Sequence, residues 1–280
     1  MSDLETFKLS ITNGVADGGD AHTPHNQAQS LDGRLVQTNI SSATDTEIIP
    51  QELQKGNPKN RLMINIYGSA GVGKTTFAKK LQEFIVEYQK ENLKYNKFEP
   101  QFNPALVGEY ATMLINDSKF DELRNQPLVT KGQISLINEA FKKSSMVISE
   151  SPVELGRIYN EDYTKAKEVT QLVNACEACY MSVNLFIKHD EKSKETYSMQ
   201  GRVHTYEESL FKEKELLDNL KAKNTPFIVI DRNVDLETLF AHIQNTPEYR
   251  VFEVRQETIK TSQKLFSSSE KSKNTDKEIG

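Results

Sequence analysis

The sequence predicts a three-layer α/β sandwich, a five-stranded parallel sheet with helices on both faces. Three observations predict it. Short apolar runs alternate with amphipathic stretches between about residues 62 and 243, the order in which parallel strands are joined by crossover helices. Each run is brief and apolar throughout, as a strand covered on both faces requires. Three of the runs end on a carboxylate, at Glu109, Glu150 and Asp231, the edge where such sheets take their ligands.

The first strand is expected over 62–67. It leads into Gly68-Ser69-Ala70-Gly71-Val72-Gly73-Lys74-Thr75-Thr76, which contains the P-loop pattern G-x-x-x-x-G-K-T. Gly68, Gly71 and Gly73 let the chain turn so tightly that successive backbone N–H groups converge on one phosphate group. Lys74 adds a mobile cation for the outer phosphates, and the Thr75 hydroxyl is suited to a Mg²⁺ ion. A helix beginning near Lys74 turns its positive end toward the same anion. A glycine-rich turn that binds nothing would not need strand, loop and helix in this order, so nucleoside triphosphate binding is expected.

The helix after the loop presents Phe77, Ala78, Leu81, Phe84, Ile85 and Tyr88 at spacings of three and four. Residues 92–104 read as a connection. Ala105-Leu106-Val107-Gly108 is the buried second strand, ending at Glu109, and a helix follows to Asn116. Residues 131–143 form an amphipathic helix with Ile134, Ile137, Ala140 and Phe141 inward, and 146–150 the third strand. Pro152 opens a short helical turn to about Tyr159. A helix over 161–178 is expected to bury Tyr163, Ala166, Val169, Leu172, Val173 and Cys176. Residues 180–187 are the fourth strand, and the charged segment 188–204 reads as a lid. Thr205 and Glu208 have capping-box spacing at the start of a helix with Leu210, Leu217 and Leu220 on one stripe. Phe227–Asp231 is the fifth strand and Leu236–Ile243 the last clear helix.

The ends differ in composition. Residues 1–58 are rich in Ser, Thr, Asn, Gln, Asp and Gly without sustained periodicity, and read as a weakly ordered arm. A run such as Phe7–Ile11 suits a strand added to a partner protein. His22 and His25 fall where no helix is expected, so the pair is not read as a metal site. The core domain is expected over 59–246, and 247–280 as a short element and tail. The chain of 280 residues carries a formal charge of -5, which gives no general attraction to nucleic acid. Neither a membrane span nor a signal-peptide core is evident, and a cytoplasmic protein is expected.

Glu150, closing the third strand, stands where a Walker-B acid holds a Mg²⁺-bound water or accepts a proton; as an ordinary surface carboxylate it would cap the Pro152 turn. Glu109 has the same logic and is the candidate general base or acceptor ligand. Arg202, between the charged segment and the capped helix, is a candidate cation for the transferring phosphoryl group. Arg157 is near enough in sequence to Glu150 to serve acceptor or phosphates, or else forms a surface ion pair. Arg232 follows the fifth strand, where the base or ribose of the nucleotide would lie. Cys176-Glu-Ala-Cys179 reads as two core-facing cysteines rather than a metal or redox pair.

Taken together, these pieces resemble the NadR-like P-loop kinase family, with its AAA-type ATP-binding members common in tailed bacteriophages. The likeness spans residues 62–235 and rests on Gly68–Thr75, Glu109-Tyr110-Ala111, Glu150-Ser151-Pro152 with Leu155 and Tyr159, and Asn184-Leu185-Phe186. It includes Gly201-Arg202-x-x-Thr205-x-Glu207-Glu208-Ser209, similar to that family's Gly-Arg lid. His204, Tyr206 and Glu150 depart from the family's usual Gln, Glu and Asp. The layout is also similar to deoxynucleoside kinases. The resemblance implies ATP- and Mg²⁺-dependent phosphorylation of a small-molecule acceptor of the nucleoside, nucleotide or pyridine-nucleoside class, with Glu109 as base and Arg202 as lid cation. Two other readings stay open at this point: a nucleotide-gated switch or scaffold acting through its N-terminal arm, and a polynucleotide 5′-kinase, which the acidic balance disfavours.

Overall fold

The apolar runs become strands because nearly every side chain on them finds a covered surface. A computed structural model describes residues 11–12, 51–92, 102–189, 194, 197, 205–231 and 233–275. The strands are β1 (Ile11–Thr12), β2 (Leu62–Tyr67), β3 (Ala105–Val107), β4 (Met146–Ser149), β5 (Met181–Ile187) and β6 (Phe227–Ile230). The helices are α1 (Gln51–Gln54), α2 (Lys74–Asn92), α3 (Tyr110–Asn116), α4 (Phe120–Leu123), α5 (Gln126–Lys143), α6 (Leu155–Ile158), α7 (Ala166–Glu177), α8 (Tyr206–Ala222), α9 (Leu236–Gln244) and α10 (Pro247–Thr275).

The sheet runs β1-β6-β5-β2-β4-β3, with β2 to β6 parallel and β1 antiparallel on the β6 edge. This is the expected five-stranded parallel sheet with one short strand added. Alternation along β2 divides the core. Leu62, Ile64 and Ile66 pack with Phe77, Leu81 and Ile85 of α2, with α9, and with Tyr249 and Phe252 of α10. Met63 faces the opposite way, into Ile134 and Ile137 of α5 and Val169, Leu172 and Val173 of α7. Tyr67, Phe186 and Phe227 meet Leu216 and Leu220 of α8. Helices therefore cover both faces. The chain runs from β2 to β3 and back to β4 on one side, then crosses to β5 and β6 on the other, so the order reverses around β2. The crevice beyond the carboxyl end of β2 is the place where such sheets hold ligands.

Several boundaries shift. Tyr163 is 93% exposed and Ala166 is exposed as well, although both were expected in the core. The cause is a 3-10 turn over Tyr163–Lys165, capped by the Asp162 side chain accepting from the Thr164 N–H. Its tighter winding puts Tyr163 out of phase with the buried stripe of α7, while Ala166 is the first residue of that helix, ahead of the stripe. On α8 the stripe is Ser209, Leu216 and Leu220, while Leu210 is exposed. The Thr205–Glu208 capping box is present.

Order also begins earlier than residue 59. Leu53 of α1 is fully buried, and Arg61 ties it in by donating to the Leu53 carbonyl while its guanidinium lies 5.6 Å from the Phe141 ring. At the other end α10 is a long helix, held by Tyr249 and Phe252 in the core and by Gln256 Nε2 donating to the Asn60 carbonyl at 2.9 Å. Ile11–Thr12 pairs with Phe227–Ile228 of this same chain, where a strand on a partner was expected. The rest of residues 1–50, with His22 and His25, lies outside the described residues. So do most of the 188–204 segment, including Arg202 and His204, and Arg232 and 276–280. Among the described residues no helix is long and apolar enough to cross a membrane.

Candidate phosphate loop and adjoining cavity

The loop leaving β2 holds its shape through three glycines at positive φ: Gly68 at 146°, Gly71 at 88° and Gly73 at 93°. They differ in what they permit. A Cβ on Gly68 would come within 2.8 Å of the Ile187 carbonyl and of Val72, so that position is closed by packing as well as by conformation. A Cβ on Gly73 would meet nothing within 4 Å, so glycine there serves the backbone angle alone. Lys74 begins α2 and curls back over the loop, its Nζ donating to the carbonyls of Gly68 at 2.8 Å and Ser69 at 2.9 Å. A cation is thus held at the mouth of a turn followed by a helix N-terminus, an arrangement suited to a polyphosphate. Thr75 and Thr76 follow on the exposed first turn of α2.

Strand register brings the carboxylates to the same edge. Ser149 pairs with Asn65 of β2 and with Val107 of β3, so Glu150 and Glu109 both follow at the carboxyl end beside the loop. The Glu150 N–H donates to the Val107 carbonyl at 3.2 Å, and its side chain lies along Gly108, where a Cβ would stand 3.4 Å from Glu150 Oε1. Glu109 precedes α3 and accepts from the Thr112 hydroxyl at 2.8 Å. Gln133, buried on α5, brackets Glu109 from both sides: its amide donates to the Gly108 carbonyl at 3.0 Å and accepts from the Tyr110 N–H at 2.9 Å. Tyr110 lies flat enough on Gly132 that any Cβ there would enter its ring.

A cavity of about 520 Å³ opens beside these residues. It reaches from Ala70 of the loop to Glu109, and its walls include Ile115, Leu123, Val129, Leu155 and the Tyr159 ring. Tyr159 is half-buried, and desolvation first, then the nearby Glu109 and Glu215 carboxylates, push its hydroxyl above the usual tyrosine range. Lys212 of α8 lies 5.5 Å from the centre of that ring.

Other expected site residues have different duties. Arg157 does not face loop or cavity chemistry: it pairs with Glu154 and Asn174 and stands 3.9 Å from Glu177, locking α6 to α7. Lys223 reaches the same buried Glu154. Burial first, then the Glu154 charge, raises Glu177 above the ordinary carboxylate range. Asp231 accepts from the Asn233 N–H at 2.7 Å and shapes the turn after β6. Cys176 and Cys179 are buried free thiols, as expected, contacting the Tyr180 hydroxyl and the Ala175 carbonyl. Among the described residues no group of three or more metal-ligating side chains occurs.

Three polar residues meet beside the loop: His189 and Glu213, which were not singled out from sequence, and Ser209, which entered only as the end of the Gly-Arg lid motif. His189 Nδ1 lies 2.6 Å from Glu213 Oε2 and 3.1 Å from Ser69 Oγ, and Ser209 Oγ lies 3.3 Å from His189 Nε2. His189 stands two residues beyond β5, so the strand-end rule that picked out Glu109 would have found it. Ser209 and Glu213 share a helix face by their spacing of four, but nothing in the sequence tells that the face meets the loop.

The sequence matches no protein-family model and no curated protein. Among solved structures the fold is similar to thymidylate kinase from Ehrlichia chaffeensis, at 15% identity and a TM-score of 0.42, over 66% of this chain and 96% of that one.

Proposed function

We propose that the chain is a P-loop kinase, transferring the terminal phosphoryl group of ATP to a small-molecule acceptor of the nucleoside class. One observation carries this reading: a single cavity touches both Ala70 of the glycine loop and Glu109, just beyond the end of β3, two strands away in the sheet. A loop that only gates a conformation needs no second compartment lined by a carboxylate.

In this reading the N–H groups of residues 68–76 and Lys74 hold the polyphosphate. Thr75 and Glu150 would hold a Mg²⁺ ion, offering a hydroxyl and a carboxylate oxygen, the hard donors that suit it. The ion, when bound, supplies charge neutralisation at the transferring group. Glu109, fixed by Thr112 and bracketed by Gln133, takes the proton of the acceptor hydroxyl as its oxygen attacks phosphorus. Arg202 would neutralise the equatorial oxygens and Arg232 would contact the base or ribose of ATP. The wall of the cavity bears Glu109, Glu161 and Asp162, against one cation among the described residues, Arg124, whose side chain is exposed and 4.0 Å from Asp121. An acidic wall disfavours a phosphate-bearing acceptor, so a nucleoside is favoured over a nucleotide. The aliphatic side chains and Tyr159 suit a planar base.

The test is ADP release from ATP and Mg²⁺ across a panel of nucleosides, pyridine nucleosides and their 5′-monophosphates. Acceptor-dependent release with a nucleoside, exceeding that with its monophosphate and abolished by Lys74→Ala, is expected. Absence of acceptor-dependent release with every compound would sink the kinase reading.

A further inference from the structure

We propose that His189 is a positioning residue of the phosphate loop, fixing Ser69 and Ala70 from below and held in turn by Glu213 of α8. The inference rests on the phosphate-binding reading of Gly68–Thr75. Its basis is a buried polar cluster that joins three separate parts of the chain. Glu213 Oε2 accepts from the His189 backbone N–H at 3.0 Å and lies 2.6 Å from its Nδ1, so main chain and ring are both aligned by one carboxylate oxygen. Nδ1 also lies 3.1 Å from Ser69 Oγ. On the other side of the ring Nε2 meets Ser209 Oγ at 3.3 Å, and that hydroxyl donates to the Ala70 carbonyl at 3.0 Å. Tyr206 packs edge-on against the imidazole, with centroids 5.4 Å apart.

Serine, histidine and glutamate in this order have the outline of a hydrolytic triad, but access rules that out. Ser69 and Ser209 are 0% and 1% exposed and the His189 side chain 3%. No substrate can approach either hydroxyl. What the cluster can do is set geometry. Ser69 and Ala70 sit between Gly68 and Gly71, both at positive φ, and the cluster adds to the Lys74 Nζ bonds to the Gly68 and Ser69 carbonyls a hold by side chains from outside the loop. Polyphosphate affinity depends on N–H groups already pointing at the anion, so a shell that fixes the first turn of the loop contributes to binding before any ligand arrives. Glu213 supplies the carboxylate against which the imidazole is oriented through Nδ1.

The experiment uses the full chain and measures dissociation constants for MgATP and for inorganic triphosphate by calorimetry, with Tm for each variant. His189→Ala is expected to weaken both ligands about ten-fold or more, the loss of a charge-assisted contact expressed as affinity. His189→Gln, which restores a side-chain donor, is expected to recover part of the loss. At saturating ATP, kcat should stay within about three-fold of the parent, since no group touching the reacting atoms is removed. A role confined to folding would lower the active fraction, and so kcat, while the folded remainder bound triphosphate normally. If His189→Ala does not fold, Glu213→Gln, which removes the carboxylate charge, and Ser209→Ala, which removes the hydroxyl joining His189 to Ala70, act at nearly constant volume and serve the same measurement. Unchanged triphosphate affinity in the folded variants overturns the inference while the parent's own binding stands. A parent chain that binds neither ligand overturns the phosphate-binding reading itself.

Discussion

Glu109 and Glu150 are the same residue type at the same sheet edge, yet their surroundings give them different work. Glu150 lies along Gly108 next to the loop strand, whereas Glu109 borders the cavity and has its oxygen fixed by the Thr112 hydroxyl. In the proposed kinase reading, a carboxylate held by a neutral donor and facing the cavity suits proton removal, and one beside the loop would suit a metal. Glu109→Gln keeps the shape and the Thr112 contact but removes the basic oxygen. It is expected to lower kcat by about 100- to 10,000-fold while the ATP dissociation constant stays put. Single-turnover phosphoryl transfer and ATP titration, run side by side, check this. A loss of ATP affinity equal to the loss of rate would assign Glu109 to binding rather than to proton transfer.

At the scale of elements, the site depends on helices that never touch the reacting atoms. Gln133 of α5 satisfies the Gly108 carbonyl and the Tyr110 N–H, so the corner presenting Glu109 is fixed from a distance. Gln133→Leu would leave these two part-buried groups without that partner, at no more than about 1–3 kcal/mol each. Lower Tm, and kcat down about ten- to hundred-fold with ATP affinity intact, are expected from thermal melts and steady-state assays. The cap of α9 offers a pH test. The Thr238 hydroxyl, followed by the Thr238 N–H, holds the Asp235 carboxyl below its ordinary value of 3.8. A depressed folded value means the stabilisation is present above the unfolded value and is lost as pH falls through the folded one. The Tm gap between the parent and Asp235→Ala should therefore be full at neutral pH and shrink below about pH 4, which melts across a pH series would show. Most of this framework was legible in the sequence, because apolar period and strand-end carboxylates are local signals. Phe77, Leu81, Ile137 and Val173 are buried where their spacing puts them. Tyr163 was not legible, since one 3-10 turn rotated it out, and Arg157 could not be assigned because its partners on α7 lie far along the chain. The His189 cluster escaped for the same reason: its contacts close only once β5, α8 and the loop are side by side.

For the molecule as a whole, α8 and the N-terminal boundary decide how the parts cohere. α8 meets the loop through Ser209, the cavity through Lys212 over Tyr159, and the α6–α7 ion cluster through Lys223, next to its carboxyl end. One helix thus joins the glycine loop, the cavity wall and the α6–α7 scaffold. The boundary is a different matter of composition against contact. Residues 51–58 look like the polar arm before them, yet Leu53 is fully buried among α5 and α7, and the Arg61 guanidinium that binds its carbonyl also lies against Phe141. Two truncations separate these facts. Removing 1–50 takes away the β1 pairing on the β6 edge but leaves Leu53 in place, so little change in Tm is expected. Removing 1–58 opens the Leu53 site, which costs about 2–5 kcal/mol by analogy with Leu→Ala substitutions. For a domain of this size that is a drop of roughly 4–20 °C. Leu53→Ala in the full chain should reproduce most of that drop, because the side chain and not the segment's length is responsible. Equal melting temperatures for the two truncations would return the domain boundary to residue 59 and leave α1 without a structural role.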